Sequence, residues 1–231
     1  MRISRLIWLL FVLNSVVNLI GELTNNPILT FFSKPLLMPL LAVWFLLRFN
    51  RKTIQRFRNL IFIGLLLSTA GDVLLLFVET NDLFFLAGLV SFLLAHLCYI
   101  AAFLSYPKVR NGNVARQPLL ILPFLIFLIA YNLLLFPKIS VDLRVPVIIY
   151  SAVIIGMAIS ALNLRRLIST AAFQSIFGGA LLFVISDSLL AFHKFYDPTA
   201  IPLAGFFIML TYILGQYFII KGAIQTAHLS I

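Results

Sequence analysis

GLLLSTAGDVLLLF, Gly64 to Phe77, and GGALLFVISDSLLAF, Gly178 to Phe192, each carry one acid, Asp72 and Asp187, inside an otherwise apolar run. Hydrocarbon charges several kcal/mol, roughly, for an ionisable side chain unless something compensates. These two aspartates are therefore the first place to look for chemistry. Around them the chain is 62% hydrophobic and only 10% charged, with a mean hydropathy of +1.11, so the expected solvent is a bilayer.

The 231 residues leave room for about eight spans of roughly 20 residues joined by short loops. The apolar runs place these spans at about 6–21, 35–48, 59–79, 83–105, 118–136, 145–163, 173–193 and 202–220. The expected fold is all-α: a polytopic bundle of eight transmembrane helices forming one domain over 1–231. Arg2 and Arg5 ahead of an apolar run resemble a secretion signal. No small-residue cleavage site follows before Gly21-Glu22, so this run reads as the first helix.

Charge sets the orientation. With the N-terminus in the cytoplasm, every Lys and Arg except Lys34, Lys138, Arg144 and Lys194 falls on the inner side, as the positive-inside rule requires. Glu22, Glu79, Asp82, Asp142 and Asp197 fall at outer helix ends, which leaves only the two intramembrane aspartates. Both termini are thus expected to be cytoplasmic, in a multi-pass protein of a bacterial cytoplasmic membrane. The net charge of +10 follows topology and gathers on no aromatic-bearing face, so no nucleic-acid partner is expected. The run RFNRKTIQRFR, Arg48 to Arg58, reads as a topology signal with affinity for anionic lipid. The single Cys98 excludes an intrachain disulfide.

The pattern D-x-L-L-x-F recurs at Asp72 to Phe77 and Asp187 to Phe192, and Gly88 and Gly205 open the helices that follow. Spans 1–4 and 5–8 then read as two related halves entering the membrane in the same direction. Helices 3 and 7 both run outward, and counting back from their expected ends at Glu79 and His193 puts both acids roughly 10 Å below the outer surface. His96 and Tyr99 share a face at i, i+3, and Tyr212 and Gln216 share one at i, i+4. With Tyr150 they are candidates to line a cavity shared with the acids. Gly64, Gly71, Gly178, Gly179, Gly205 and Gly215 read as packing positions, and no proline is expected in mid-helix.

Desolvation favours the neutral acid, and a second carboxyl nearby keeps one of the two protonated. A protonated acid beside an ionised one suits cleavage of glycosidic and related acetal-type bonds. The bland alternative is that each Asp makes a helix-packing hydrogen bond or pairs with Lys34 or Lys194. Lys34 sits before Pro35 at the outer boundary, where it can snorkel toward a phosphate or meet a carboxylate. No G-x-S-x-G, H-E-x-x-H, Cys/His cluster or P-loop is present, so neither a metal nor a cofactor is expected.

KPLLMP (Lys34–Pro39), STAGDVLLL (Ser68–Leu76), GLVSFLLAHLCYI (Gly88–Ile100), IIYSAVIIGM (Ile148–Met157), GGALLFVISDSLLAFHKF (Gly178–Phe195) and TYILGQYFI (Thr211–Ile219) resemble, in order and spacing, the YhhN-like, lysoplasmalogenase-like membrane proteins. The resemblance implies an eight-helix bundle that hydrolyses the vinyl ether bond of lysoplasmalogen. The products would be a fatty aldehyde and glycerophospho-ethanolamine or glycerophospho-choline. The implied partners are a lysophospholipid substrate and the surrounding membrane lipids. On this reading Asp72 and Asp187 are catalytic, and Lys34, His96, Tyr99, Tyr150, Tyr212 and Gln216 bind substrate. The rival reading is a proton-coupled carrier of a lipid or small solute using the same carboxylates.

Overall fold

The computed structural model describes residues 2–49 and 54–227, and of Asp82 the backbone alone. The expected cytoplasmic cations Arg51 and Lys52 lie outside the described residues. Among the described residues there are eight helices long and apolar enough to cross a membrane, and no strand. They are α1 (Arg2–Leu23), α2 (Pro27–Arg48), α3 (Gln55–Leu75), α4 (Asp82–Leu104), α5 (Leu122–Leu135), α6 (Val141–Asn163), α7 (Thr170–Ala191) and α8 (Ala204–Ala227).

The largest departure from expectation is α2, which begins eight residues before Pro35 and so carries Pro35 and Pro39 in its middle. Asn26 explains the early start. Its side chain accepts hydrogen bonds from the backbone N–H groups of Ile28 and Leu29, at 3.1 and 3.2 Å, and Pro27 takes the first helical position, where its missing N–H costs nothing. Inside the helix the prolines remove donors, and polar groups on α1 brace that stretch. Asn14 Nδ2 donates to the Ser33 carbonyl (2.8 Å) and Asn18 Nδ2 to Ser33 Oγ (3.0 Å). Pro146 likewise lies within α6, which starts at Val141.

Helix α3 also ends earlier than its apolar run suggests. After Leu75 the chain goes through turns closed by Leu76 N–H to Val73 O and Thr80 N–H to Phe77 O, and Asn81 then caps α4 through Leu83 N–H. Asp72 is therefore three residues from the end of its helix. Asp187 is followed by the rest of α7 and a π-helical turn, Phe192–Tyr196, so equal depth does not follow from the helix ends. α5 is flanked by 3₁₀ turns at Pro118–Ile121 and Phe136–Lys138 and buries little but Leu135, leaving its apolar faces to lipid.

The closest packing pairs α3 with α4 and α7 with α8, the corresponding pairs of the two halves. Small residues allow it. A Cβ on Gly179 would lie 2.6 Å from the Gly215 carbonyl oxygen, and one on Gly215 would lie 3.0 Å from that of Gly179. Gly64 and Gly71 accept the rings of Tyr99 and Phe92 in the same way, and Gly205 accepts the Glu22 carboxylate. Gly178 is the exception: a Cβ there would meet nothing within 4 Å, so it is not a packing glycine.

Candidate active site

Ser68 and Asp72 lie one turn apart on α3, and they face Tyr212 and Gln216, one turn apart on α8. The Tyr212 hydroxyl donates to Asp72 Oδ2 at 2.8 Å, and Gln216 Nε2 donates to Ser68 Oγ at 3.0 Å. Tyr99 of α4 completes this group by donating its hydroxyl proton to Gln216 Oε1 at 2.7 Å. All five side chains are buried, with Asp72 only 1% exposed. Lys34 of α2 forms no ion pair with Asp72 within 4 Å.

Asp187 has a different set of neighbours. Tyr150 of α6 donates to its Oδ2 at 2.5 Å, and His96 Nε2 of α4 stands 3.9 Å from the same oxygen. His96 is fully buried, its ring edge-on to Phe183 at 4.6 Å and to Tyr150 at 5.6 Å. Among the described residues Nε2 has no hydrogen-bond partner.

The order of contact between the acids is Asp72, Tyr212, Phe183, His96, Asp187, with Tyr212 edge-on to Phe183 at 5.4 Å. Each carboxyl group thus has its own tyrosine, and aromatic rings stand between them. α4 straddles both groups: His96 faces Asp187, and Tyr99, one turn on, joins the Asp72 group. Asp72 is met by Tyr212 of α8, while Asp187 takes its hydrogen bond from Tyr150 of α6 and has His96 of α4 nearby.

A cavity of about 50 Å³ opens on the Asp187 side, between α4, α5, α6 and α7. Phe85, Leu89, Phe127, Leu128, Ile154 and Val184 give it apolar walls, while Asp187, Tyr150, Ser151, Asn132, Tyr131 and Ser188 supply polar groups. Of the residues singled out in the sequence, Asp187 and Tyr150 line it, whereas Asp72, Lys34, His96, Tyr99, Tyr212 and Gln216 do not, and His96 stands behind Asp187 and Tyr150. Ser151 and Asn132, which are hydrogen-bonded to each other at 2.9 Å, were not singled out. Tyr131, whose hydroxyl donates to the Ser188 carbonyl, was likewise not picked out. The available signal was polarity: Asn132 sits in the most apolar span of the chain.

A buried carboxyl group facing an apolar cavity within a bundle of membrane-spanning helices defines a polytopic membrane protein with a polar site inside the bundle. The chain belongs to the YhhN family, whose model matches residues 29–223. It is similar to curated proteins of cattle, human and pig. Bovine lysoplasmalogenase TMEM86A is 29% identical over 170 residues, and human lysoplasmalogenase TMEM86A is 30% identical over 169. Pig lysoplasmalogenase TMEM86B is 33% identical over 166 residues. Each match takes in 72% of this chain but 65%, 65% and 64% of the respective relative, so the chain spans just under two thirds of their length. No solved structure gives a significant match.

Proposed function

We propose that the chain is a membrane ether hydrolase that cleaves the vinyl ether bond of a lysoplasmalogen, with Asp187 as the acid that meets the substrate. The supporting observation is the Asp187–Tyr150 pair at the wall of an apolar cavity, with the unbonded His96 Nε2 beside it. The names of the relatives supply the substrate class.

Protonated Asp187 donates to the β-carbon of the C=C–O group, and the resulting oxocarbenium centre is stabilised by the carboxylate left behind. Water adds to the α-carbon and returns its proton to that carboxylate. The hemiacetal then breaks its bond to the glycerol oxygen, which takes up a proton. Aldehyde and glycerophospho product leave, for a net consumption of one water. Tyr150 holds Asp187 through Oδ2 and leaves Oδ1 for the substrate, and His96 Nε2 orients the attacking water. Asp72, fixed by Tyr212 and balanced by Lys34, sets the charge behind the aromatic wall, and Tyr99 and Gln216 hold Tyr212's helix in place. The protein is read as one transmembrane domain with both termini in the cytoplasm.

The test is incubation of the purified protein with lysoplasmalogen and with its saturated alkyl ether analogue. Aldehyde from the first and no reaction of the second is expected, and loss of neither rejects the hydrolase. A proton-coupled carrier is the second reading, favoured by two buried carboxyl groups on separate helices, each held by its own tyrosine. A carrier shows activity only in sealed vesicles, whereas the hydrolase turns over in detergent.

A further inference from the structure

We propose that Lys194, on the π-helical turn after α7, anchors the phosphate of a single-chain ether phospholipid whose glycerol end lies in the Asp187 cavity. The proposal rests on the hydrolase reading for its reacting bond, but the phosphate contact is testable without catalysis.

The argument starts from where the cavity ends. Phe85 and Phe195 line it and pack edge to face at 5.9 Å. The Lys194 ammonium lies over the Phe85 ring, 5.1 Å from its centroid, so a cation stands directly behind the wall at that end. The π turn, closed by Asp197 N–H to Phe192 O at 3.2 Å, inserts an extra residue per turn and places Lys194 and Phe195 there; such turns occur frequently at functional sites.

Of the two neighbouring cations, Arg144 covers Phe136 and donates to the Ile139 carbonyl, and Lys138 lies over Tyr196, a ring that does not line the cavity. Lys194 has no carboxylate at ion-pair distance among the described side chains. Lys34, the other candidate for a phosphate, does not line the cavity.

Length agrees as well. Lys194 is seven residues beyond Asp187, about 10 Å along the helix axis. In the lipid, six bonds separate the vinyl ether α-carbon from phosphorus, about 7 Å when extended, and an ammonium contact adds roughly another 3 Å. A substrate with its double bond at Asp187 therefore brings its phosphate to Lys194, at the interfacial end of the span.

Binding to the protein in nanodiscs tests this with two non-hydrolysable probes, 1-O-alkyl-glycerophosphocholine and 1-O-alkylglycerol. The unsubstituted protein is expected to prefer the phosphate-bearing probe by about tenfold, the size of one charge-assisted contact. Lys194→Gln should erase that preference while leaving 1-O-alkylglycerol affinity unchanged, and Lys194→Arg should restore it. The proposal is overturned by equal binding of the two probes, by no binding of either, by a preference that persists in Lys194→Gln, or by one lost in Lys34→Gln instead. Because neither probe can be hydrolysed, a phosphate preference erased by Lys194→Gln stands even if lysoplasmalogen is not cleaved. Cleavage with no Lys194 effect overturns the anchor alone.

Discussion

His96 Nε2 stands 3.9 Å from Asp187 Oδ2, an oxygen that already accepts the Tyr150 hydroxyl proton. The imidazole is wedged between Phe183 and Tyr150 with no exposure, so its position is set by ring packing and not by the carboxylate. His96→Phe preserves the packing and removes the nitrogen. It should lower kcat for vinyl ether cleavage by about 10- to 100-fold and leave thermal unfolding in detergent near that of the unsubstituted protein. A matching fall in Tm would instead assign His96 to the core.

The two aspartates should separate when each is made Asn, a change that keeps shape and a hydrogen-bond acceptor but removes the transferable proton. Asp187→Asn faces the cavity and is expected to reduce turnover by about 10²- to 10⁴-fold, the range of a lost general acid. Asp72→Asn lies behind the ring wall and should reduce it less. Wild-type aldehyde release from both variants, each properly inserted, would end the acid–base mechanism.

Their tyrosines should divide between stability and rate. Tyr212→Phe leaves Asp72, 1% exposed, without its hydroxyl donor, and removing the partner of a buried polar group costs about 1–3 kcal/mol. Tyr150→Phe strips the partner of a carboxyl group that borders an open cavity, where water can replace the lost bond. Thermal unfolding should therefore fall clearly for Tyr212→Phe and little for Tyr150→Phe, while kcat falls in the second.

Which polar side chains are buried among the helices was legible wherever the bilayer penalises polarity. Asp72, Asp187, His96 and the Tyr212/Gln216 pair stand out in their spans for that reason, and helical spacing put the last two on one face. Who pairs with whom was not legible. Tyr212 reaches Asp72 across 140 residues, and Tyr150 rather than a residue of α8 reaches Asp187. These choices depend on how helices are arranged around one another, which hydropathy does not encode. A span beginning at 35 puts Pro35 at the helix boundary, whereas Asn26-Pro27 is the stronger start signal and leaves Pro35 and Pro39 inside α2. The cavity itself depends on the loose seating of α5, a property of packing that leaves no periodic trace in an evenly apolar span.

Orientation follows from the cations. If both termini are cytoplasmic, a reporter fused after Ala227 should report the cytoplasm, and a cysteine placed in the turn at Thr199 should be labelled from outside by a membrane-impermeant reagent. A C-terminal reporter reading outside would reverse the topology, and Lys194 would then meet the inner leaflet.

The adjacent glycines on α7 give the sharpest test of the packing that carries Asp187. A methyl group at Gly179 would meet the Gly215 carbonyl oxygen at 2.6 Å and the Ile219 nitrogen at 2.7 Å, both backbone atoms that no rotamer change can move. Gly179→Ala must push α7 from α8, at a cost of about 1–3 kcal/mol typical of overpacking. Two turns further along, the same displacement shifts Asp187 relative to α4 and loosens Phe183 from Tyr212, so activity should fall with stability. Gly178→Ala adds the same atom one position earlier, where nothing lies within 4 Å, and it gains the helix preference of Ala over Gly. Unfolding and turnover measured side by side should show loss of both in Gly179→Ala and neither in Gly178→Ala. Equal effects from the two variants would mean that the α7–α8 contact does not run along Gly179 and Gly215.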